Sequence, residues 1–164
     1  MYTVKSVKTW KGMEGLGTQC WFCRDGKKVA RFTDDAHGGE ARFDWVDYEA
    51  PRVTIQTESG SYKGTPEEAR FHSHIKNMTY KYSGETHPMS PDVFVSDLCD
   101  EFDYRKKMKS RLKKTTYFRL KNQTYEKDAW SVMKAVFTPE SKAFLVQRYG
   151  SNLGEILNET IQGE

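Results

Sequence analysis

The sequence lacks any long apolar run and contains little cysteine. No stretch approaches the roughly 18 apolar residues that a membrane-spanning helix needs, so we expect no membrane partner. The segment MYTVKSVKTWKG has no apolar core of the kind found in a secretory leader, which favours a protein that is not exported. The chain has three cysteines, an odd number, which we expect to be reduced thiols inside a cell. These absences argue against membrane proteins and disulfide-stapled scaffolds.

What the chain does contain is enough apolar residues for one globular core. Hydrophobic residues make up 37% of the sequence and aromatic residues 13%, so the composition does not predict disorder. A length of 164 residues predicts a single domain over residues 1–164. Within it, residues 1–60 are expected to be mainly β, and residues 61–164 a mixture of helix and strand.

Turn signals predict an antiparallel β-meander in the N-terminal half. Asp25-Gly26 separates TQCWFCR from KKVARFT, and this pair readily adopts the positive φ angles of a two-residue hairpin turn. RFDW then provides the next strand, and YTVKSVKTW and PRVTIQT predict two more. Further along, TTYFRL and WSVMKAVF predict a second strand pair, and TYKYSGETHPM a loop or short strand.

Helix-start signals occur at three places, which predicts two to three helices. Thr65, Ser90 and Thr138 each precede a proline, and a small polar cap followed by proline is typical of a helix N-terminus. The helix after Ser90 is the longest and is expected to run to about Lys114, whereas SNLGEILNE is expected to add a final turn or two of helix. Strands followed by helix, strands and helix predict the α+β class.

The second half of the long predicted helix is strongly basic. Its first half is acidic, an order that the helix macrodipole favours, so a solvated helix end is one interpretation. Seven Lys and Arg within ten residues are more than the helix macrodipole alone would favour. Such a run can follow a phosphate backbone or an acidic protein surface. Because the neighbouring acids repel a phosphate backbone, a moderate, salt-sensitive interaction is expected. The predicted partner-binding residues are Arg105, Lys106, Lys107, Lys109, Arg111, Lys113 and Lys114.

An acid–base pair falls on the predicted apolar stripe of the same helix. Glu101 and Arg105 are four residues apart, in the order that favours pairing on a helix. If buried or half-buried there, they must pair with each other or with another group. A local salt bridge and a polar contact across an interface are the two alternatives.

The stretch TDDAHGGEARFDW concentrates titratable side chains between two predicted strands. Such a loop lies at the rim of a sheet, where functional residues often occur, and these residue types can act as acids, bases or metal ligands. The alternative is a plain turn, in which an aspartate caps the loop and the histidine is solvated. No nucleophile lies nearby in the sequence, so we expect no catalytic residue and no cofactor. The polar loop site comprises Asp34, Asp35, His37 and Glu40.

Three further motifs resemble metal or phosphate sites but lack a required part. Cys20 and Cys23 have metal-ligand spacing, but no second pair follows, and on a strand they point to opposite faces. His72 and His74 diverge by about 200° on the predicted helix. The segment from Gly12 to Gly17 leads into a strand, whereas a phosphate loop leads into a helix. We therefore predict no metal ligand.

Two parts of the sequence carry a resemblance to known proteins. The order GLG, RDGKKVARF and DDAHGGEARFDW, and the later TYFRLKNQTYEKDAWSVMKAVFTPESKAFL with YGSNLGEILNE, resemble small accessory proteins of tailed phages and prophages. The resemblance covers roughly two thirds of the chain and transfers no catalytic residue. It implies an accessory protein that acts in the bacterial host cytoplasm, where proteins of this kind often bind and inhibit host machinery, including defence systems.

These observations give three functional hypotheses. The first is a phage accessory protein, not an enzyme, that inhibits a host or defence-system protein at an acidic or nucleic-acid-binding surface. The second is a direct DNA- or RNA-binding protein that uses the basic helix over residues 105–114. The third is a small enzyme that uses the loop over residues 34–40. A homodimer is left open as a further partnership.

Overall fold

The computed structural model describes residues 1–57, 60–126 and 129–162 and has an α+β fold. Strands form an antiparallel meander in the N-terminal half, which confirms the predicted fold class. The chain forms two compact units, residues 1–103 and residues 104–164. The prediction of one domain over the whole chain stays a prediction.

Four antiparallel strands in sequence order form the sheet of the first unit. The turn between the second and third strands has φ angles of 50° at Asp25 and 79° at Gly26, which confirms the predicted two-residue hairpin. In the first strand the register shifts between Lys5 and Lys8, with φ of 55° at Ser6, so this edge strand is irregular. The strands are β1 (Tyr2–Lys11), β2 (Leu16–Arg24), β3 (Lys27–Asp34) and β4 (Arg42–Trp45).

Two small hairpins and one short helix complete the first unit, together with most of a long helix. No strand was predicted over Gly60–Gly64, yet this segment pairs with Val53–Thr57. The segment TYKYSGETHPM, predicted as a loop or short strand, forms the other hairpin. The elements are β5 (Val53–Thr57), β6 (Gly60–Gly64), α1 (Pro66–Ile75), β7 (Thr79–Tyr82), β8 (Glu85–Pro88) and α2 (Pro91–Leu112), the last of which runs into the second unit.

An aromatic core joins the meander to α1. Phe22, Phe32 and Phe71 are fully buried, and Phe22 and Phe71 have ring centroids 4.8 Å apart. Helix α1 begins where predicted, because the Thr65 side chain accepts a hydrogen bond from the Glu68 backbone and the Glu68 side chain accepts one from the Thr65 backbone. The core therefore fixes α1 against the sheet.

The second unit, which begins inside α2, is built on a three-stranded antiparallel sheet. The predicted pairing of TTYFRL with WSVMKAVF is confirmed, and the predicted cap at Thr138 starts a helix. The final turn or two of helix expected in SNLGEILNE begins only at Leu157, because Leu153–Ile156 pairs with the central strand instead. The elements are β9 (Thr116–Leu120), β10 (Ser131–Met133), α3 (Pro139–Tyr149), β11 (Leu153–Ile156) and α4 (Leu157–Gln162), with sheet order β10-β9-β11.

The physical reason for the extra strand is close backbone approach. A Cβ atom on Gly154 would lie 3.0 Å from the Arg119 carbonyl oxygen, so glycine lets β11 approach β9. Ile156 is then buried with Phe118 and Leu145 in one cluster. Pairing with β9 thus makes Leu153–Ile156 a strand, although its local sequence is compatible with helix.

Candidate functional site

The basic run at the end of α2 forms an exposed cationic surface. All seven predicted partner-binding side chains are exposed, whereas Met108 and Leu112 are only 3% and 2% exposed. These two apolar residues pack against Leu157, with Tyr104 and Tyr117 beside them. We name the following set the basic face: Arg105, Lys106, Lys107, Lys109, Arg111, Lys113 and Lys114.

A buried amide holds the end of this helix. The Asn158 side chain is fully buried, and its Nδ2 donates to the carbonyl oxygens of Leu112, at 3.3 Å, and Thr115, at 3.1 Å. Its Oδ1 accepts from the Tyr117 backbone N–H at 2.9 Å. Asn158 thus satisfies a carbonyl that the helix leaves unpaired at its C-terminus and joins it to the start of β9. The sequence analysis missed this residue.

Charge is divided unevenly between the two units. Residues 1–103 contain 13 Lys and Arg against 17 Asp and Glu, a net charge of −4. Residues 104–164 contain 13 against 6, a net charge of +7. The overall charge of +3 is therefore the sum of an acidic first unit and a strongly basic second unit. Charge of one sign raises the local concentration of ligands of the opposite sign.

Glu101 and Arg105 do not lie inside the apolar stripe, which corrects the expectation of a half-buried pair. Both side chains are exposed. The buried side of the first half of α2 is set by Val95 and Cys99, and Glu101 lies about 200° around the helix from Cys99. Arg105 therefore lies at the surface as part of the basic face.

The polar loop site is organised mainly by hydrogen bonds within the loop. Asp34 Oδ1 accepts from the Ala36 backbone N–H at 2.9 Å, and Asp35 Oδ1 accepts from the His37 backbone N–H at 3.1 Å. His37 is exposed, and its Nδ1 lies 2.8 Å from the Asp35 carbonyl oxygen. Glu40 is exposed further along. Two of the four side chains are thus occupied as caps of tight turns.

The glycine segment after β1 packs beside this loop. The Glu14 backbone N–H donates to the Ala36 carbonyl oxygen at 2.9 Å, and a Cβ atom on Gly12 would lie only 2.6 Å from the Ala36 Cβ. Glu14 also approaches Gly38, since a Cβ atom there would lie 2.6 Å from its carboxylate. The glycine segment and the polar loop therefore pack together as one rim of the sheet. The glycine segment leads into β2, as predicted.

The cysteines are all buried free thiols. Cys20 and Cys99 are distant in the sequence but lie in one core cluster. The neighbouring Cys99 thiol, together with burial, raises the pKa of Cys20, and the neighbouring Cys20 thiol lowers the pKa of Cys99. Cys23 donates instead to the Trp21 carbonyl oxygen at 3.7 Å. Across residues 1–57, 60–126 and 129–162, no cluster of His, Cys, Asp or Glu is arranged to hold a metal ion.

A polar cluster that sequence reasoning missed lines a broad cleft in the first unit. The Tyr62 hydroxyl donates to Glu68 Oε1 at 2.9 Å and lies 3.0 Å from His72 Nε2. Burial and the bond to Glu68 raise the pKa of Tyr62, and burial lowers the pKa of His72. His74 instead lies beside Tyr2, with the two rings tilted by 50° and their centroids 4.9 Å apart, so the two histidines diverge as predicted. Had the sequence predicted the strand β6, its pairing with β5 would have placed Tyr62 beside α1.

Within residues 1–57, 60–126 and 129–162, no helix combines the length and the apolar character that crossing a membrane requires. Comparisons with protein-family models, curated proteins and solved structures return no match.

Proposed function

We propose that this chain is a non-enzymatic interaction protein that binds an acidic macromolecular surface through its basic face. The supporting observation is that all seven cations are exposed at a helix end that Met108, Leu112 and Asn158 anchor. Anchoring reduces the ordering entropy that binding would otherwise cost, while the dense charge speeds encounter with an anionic partner.

The resemblance to phage accessory proteins suggests the biological setting. There, the partner is a host or defence-system protein in the bacterial cytoplasm, and occupation of its acidic surface inhibits it. Exposed acids precede the basic face in α2, among them Asp97, Asp100 and Glu101, and they confine anion binding to the last turns of the helix. An anionic site of similarly short length, on a protein or on a nucleic acid, fits this restricted length.

Direct binding of DNA or RNA is the second candidate. Its support is the run from Tyr104 to Tyr125, which contains nine Lys and Arg and no acidic residue. A run of this kind neutralises phosphates and releases their counterions. Tyr104 and Tyr117 are half-buried, so their packing against the helix limits their use in base stacking.

The third candidate, a small enzyme that uses the polar loop, has the least support. Asp34 and Asp35 bond to the backbone of their own loop, and His37 bonds back to Asp35. A general acid or base must instead direct its polar atoms toward a substrate.

A charge reversal tests the proposal. Lys106, Lys109 and Lys113 are changed together to glutamate, and the affinity-tagged variant is compared with wild type in a pull-down from bacterial lysate, with and without nuclease. We expect loss of the specifically retained partner, because three attractive contacts become repulsive. Retention that resists nuclease favours a protein partner, and retention that nuclease abolishes favours nucleic acid.

The matched control makes the same charge change elsewhere. Lys8, Lys27 and Lys81 are exposed in the first unit, and their joint change to glutamate should leave partner retention intact. Equal retention of a partner by the basic-face variant and by wild type would remove the basic face from the mechanism.

A further inference from the structure

The exposed part of the basic face covers most of the helix circumference. At about 100° per residue, Met108 and Leu112 mark one narrow buried side of the last turns of α2. Lys106 and Ser110 lie on the opposite, outermost side, and both are exposed. The helix is therefore accessible around a wide arc and not along a single stripe.

Cations line both sides of this outermost ridge. Arg105 and Lys109 form what we call the first flank, and Lys107 and Arg111 form the second flank, on the opposite side of the helix. Members of each flank are four residues apart, or about 6 Å along the axis at 1.5 Å per residue. All four side chains are exposed.

We propose that the basic face binds in the major groove of double-stranded DNA, with one flank against each phosphate backbone. This inference rests on the binding role proposed for the basic face and specifies its second candidate, in which the partner is a nucleic acid. A flat acidic surface can meet only one flank and the ridge, whereas a groove with two anionic walls meets both flanks. The major groove is about 12 Å wide, and a helix with side chains is about 10–12 Å across, so the helix fits between the walls.

The side chains on the ridge indicate that this binding depends little on the DNA base sequence. Lys106 and Ser110 are the outermost side chains and face the groove floor, where serine can bond to more than one base. Most contacts go to phosphates, which position a protein without reading sequence. A-form RNA has a deep, narrow major groove that does not admit side chains in this way, so duplex RNA binds more weakly.

The first experiment removes one flank at a time. The double variants Arg105→Gln/Lys109→Gln and Lys107→Gln/Arg111→Gln are titrated with a fluorescein-labelled random-sequence DNA duplex, and anisotropy is followed between 50 and 200 mM salt, a range of about fourfold. Each double variant should lower the slope of log K against log salt by about 1.8, because each neutralised phosphate contributes about 0.9 to the slope. A lower slope from only one of the two flanks would overturn the groove model.

The control variant is Lys27→Gln/Lys81→Gln, which removes the same charge from exposed lysines of the first unit and should leave the slope unchanged. A second probe is a duplex of the same sequence whose pyrimidines carry bulky 5-substituents, which fill the major groove without altering backbone charge. Binding should weaken at least tenfold on this duplex. Equal affinity for both duplexes would overturn the proposed groove.

The DNA inference and the proposed function are overturned by different results. If wild type binds no duplex but the basic-face variant loses a nuclease-resistant protein partner, the DNA inference is wrong and the proposed function stands. If the basic-face variant retains every partner that wild type retains, both are wrong. Circular dichroism of each variant verifies that the helix is still formed.

Discussion

Replacement of Asn158 by leucine should destabilise the second unit by about 3 kcal/mol. Leucine has the same branched skeleton of four side-chain heavy atoms, so the change removes the hydrogen bonds without opening a cavity, and the greater bulk of its methyl groups can only add to the loss. It leaves the Tyr117 N–H and the Leu112 and Thr115 carbonyls without their partner. An unsatisfied buried polar group costs about 1–3 kcal/mol, and we take the lower value for each, because Tyr117 and Thr115 are only half-buried and the bond to the Leu112 carbonyl is long at 3.3 Å.

Urea denaturation followed by circular dichroism measures this loss. With a dependence of about 1–3 kcal/mol per molar urea, the transition of the second unit should move down by about 1–3 M. Hydrogen exchange should locate the effect, with faster exchange at Tyr117. The matched control is Gln147→Leu, the same chemical change at an exposed position of α3, which should stay within about 0.5 kcal/mol of wild type. A loss of stability below about 0.5 kcal/mol for Asn158→Leu would refute the role of the amide as a clamp.

Three further changes test other parts of the structure. Gly26→Val should lower the stability by about 1–3 kcal/mol, because the φ of 79° at this turn strains a β-branched residue although the space around it is open; an unchanged melting temperature would contradict the strain argument. Joint replacement of Asp34, His37 and Glu40 by alanine should leave partner retention intact, and its loss in a variant of normal stability would make the loop functional. Purified protein should contain no stoichiometric zinc by elemental analysis, and zinc that disappears on Cys20→Ser would show that the thiols bind metal.

Local signals in the sequence were sufficient for the turns and caps. The turn at Asp25-Gly26 and the helix starts at Thr65 and Thr138 depend on bonds between residues at most three positions apart. Such interactions are present whatever the rest of the fold does, so the pattern alone predicts them. The seven cations of the basic face are also exposed, as the high cost of burying charge leads one to expect, whereas their role in partner binding stays a prediction.

Features that depend on distant partners could not be predicted in this way. Leu153–Ile156 becomes a strand only because β9 offers an unpaired edge, and the Cys20–Cys99 contact joins a strand to a helix 79 residues later. Asn158 is an ordinary polar residue until α4 brings it to the end of α2. The misplaced pair Glu101 and Arg105 shows a related limit, since a small rotation of the assumed helix face exchanges buried and exposed positions.

The position of Asn158 late in the chain has a consequence for synthesis. Leu112 leaves the ribosome 46 residues before Asn158, and at about 5–20 residues per second this interval lasts roughly 2–9 s. During this interval, the cationic helix end is exposed to ribosomal RNA and proteases, because Asn158, which holds it in the folded protein, has not yet been synthesised. A stop codon or a protease cut between the two would make that transient state permanent, releasing a fragment with the charge of the basic face but without its anchor.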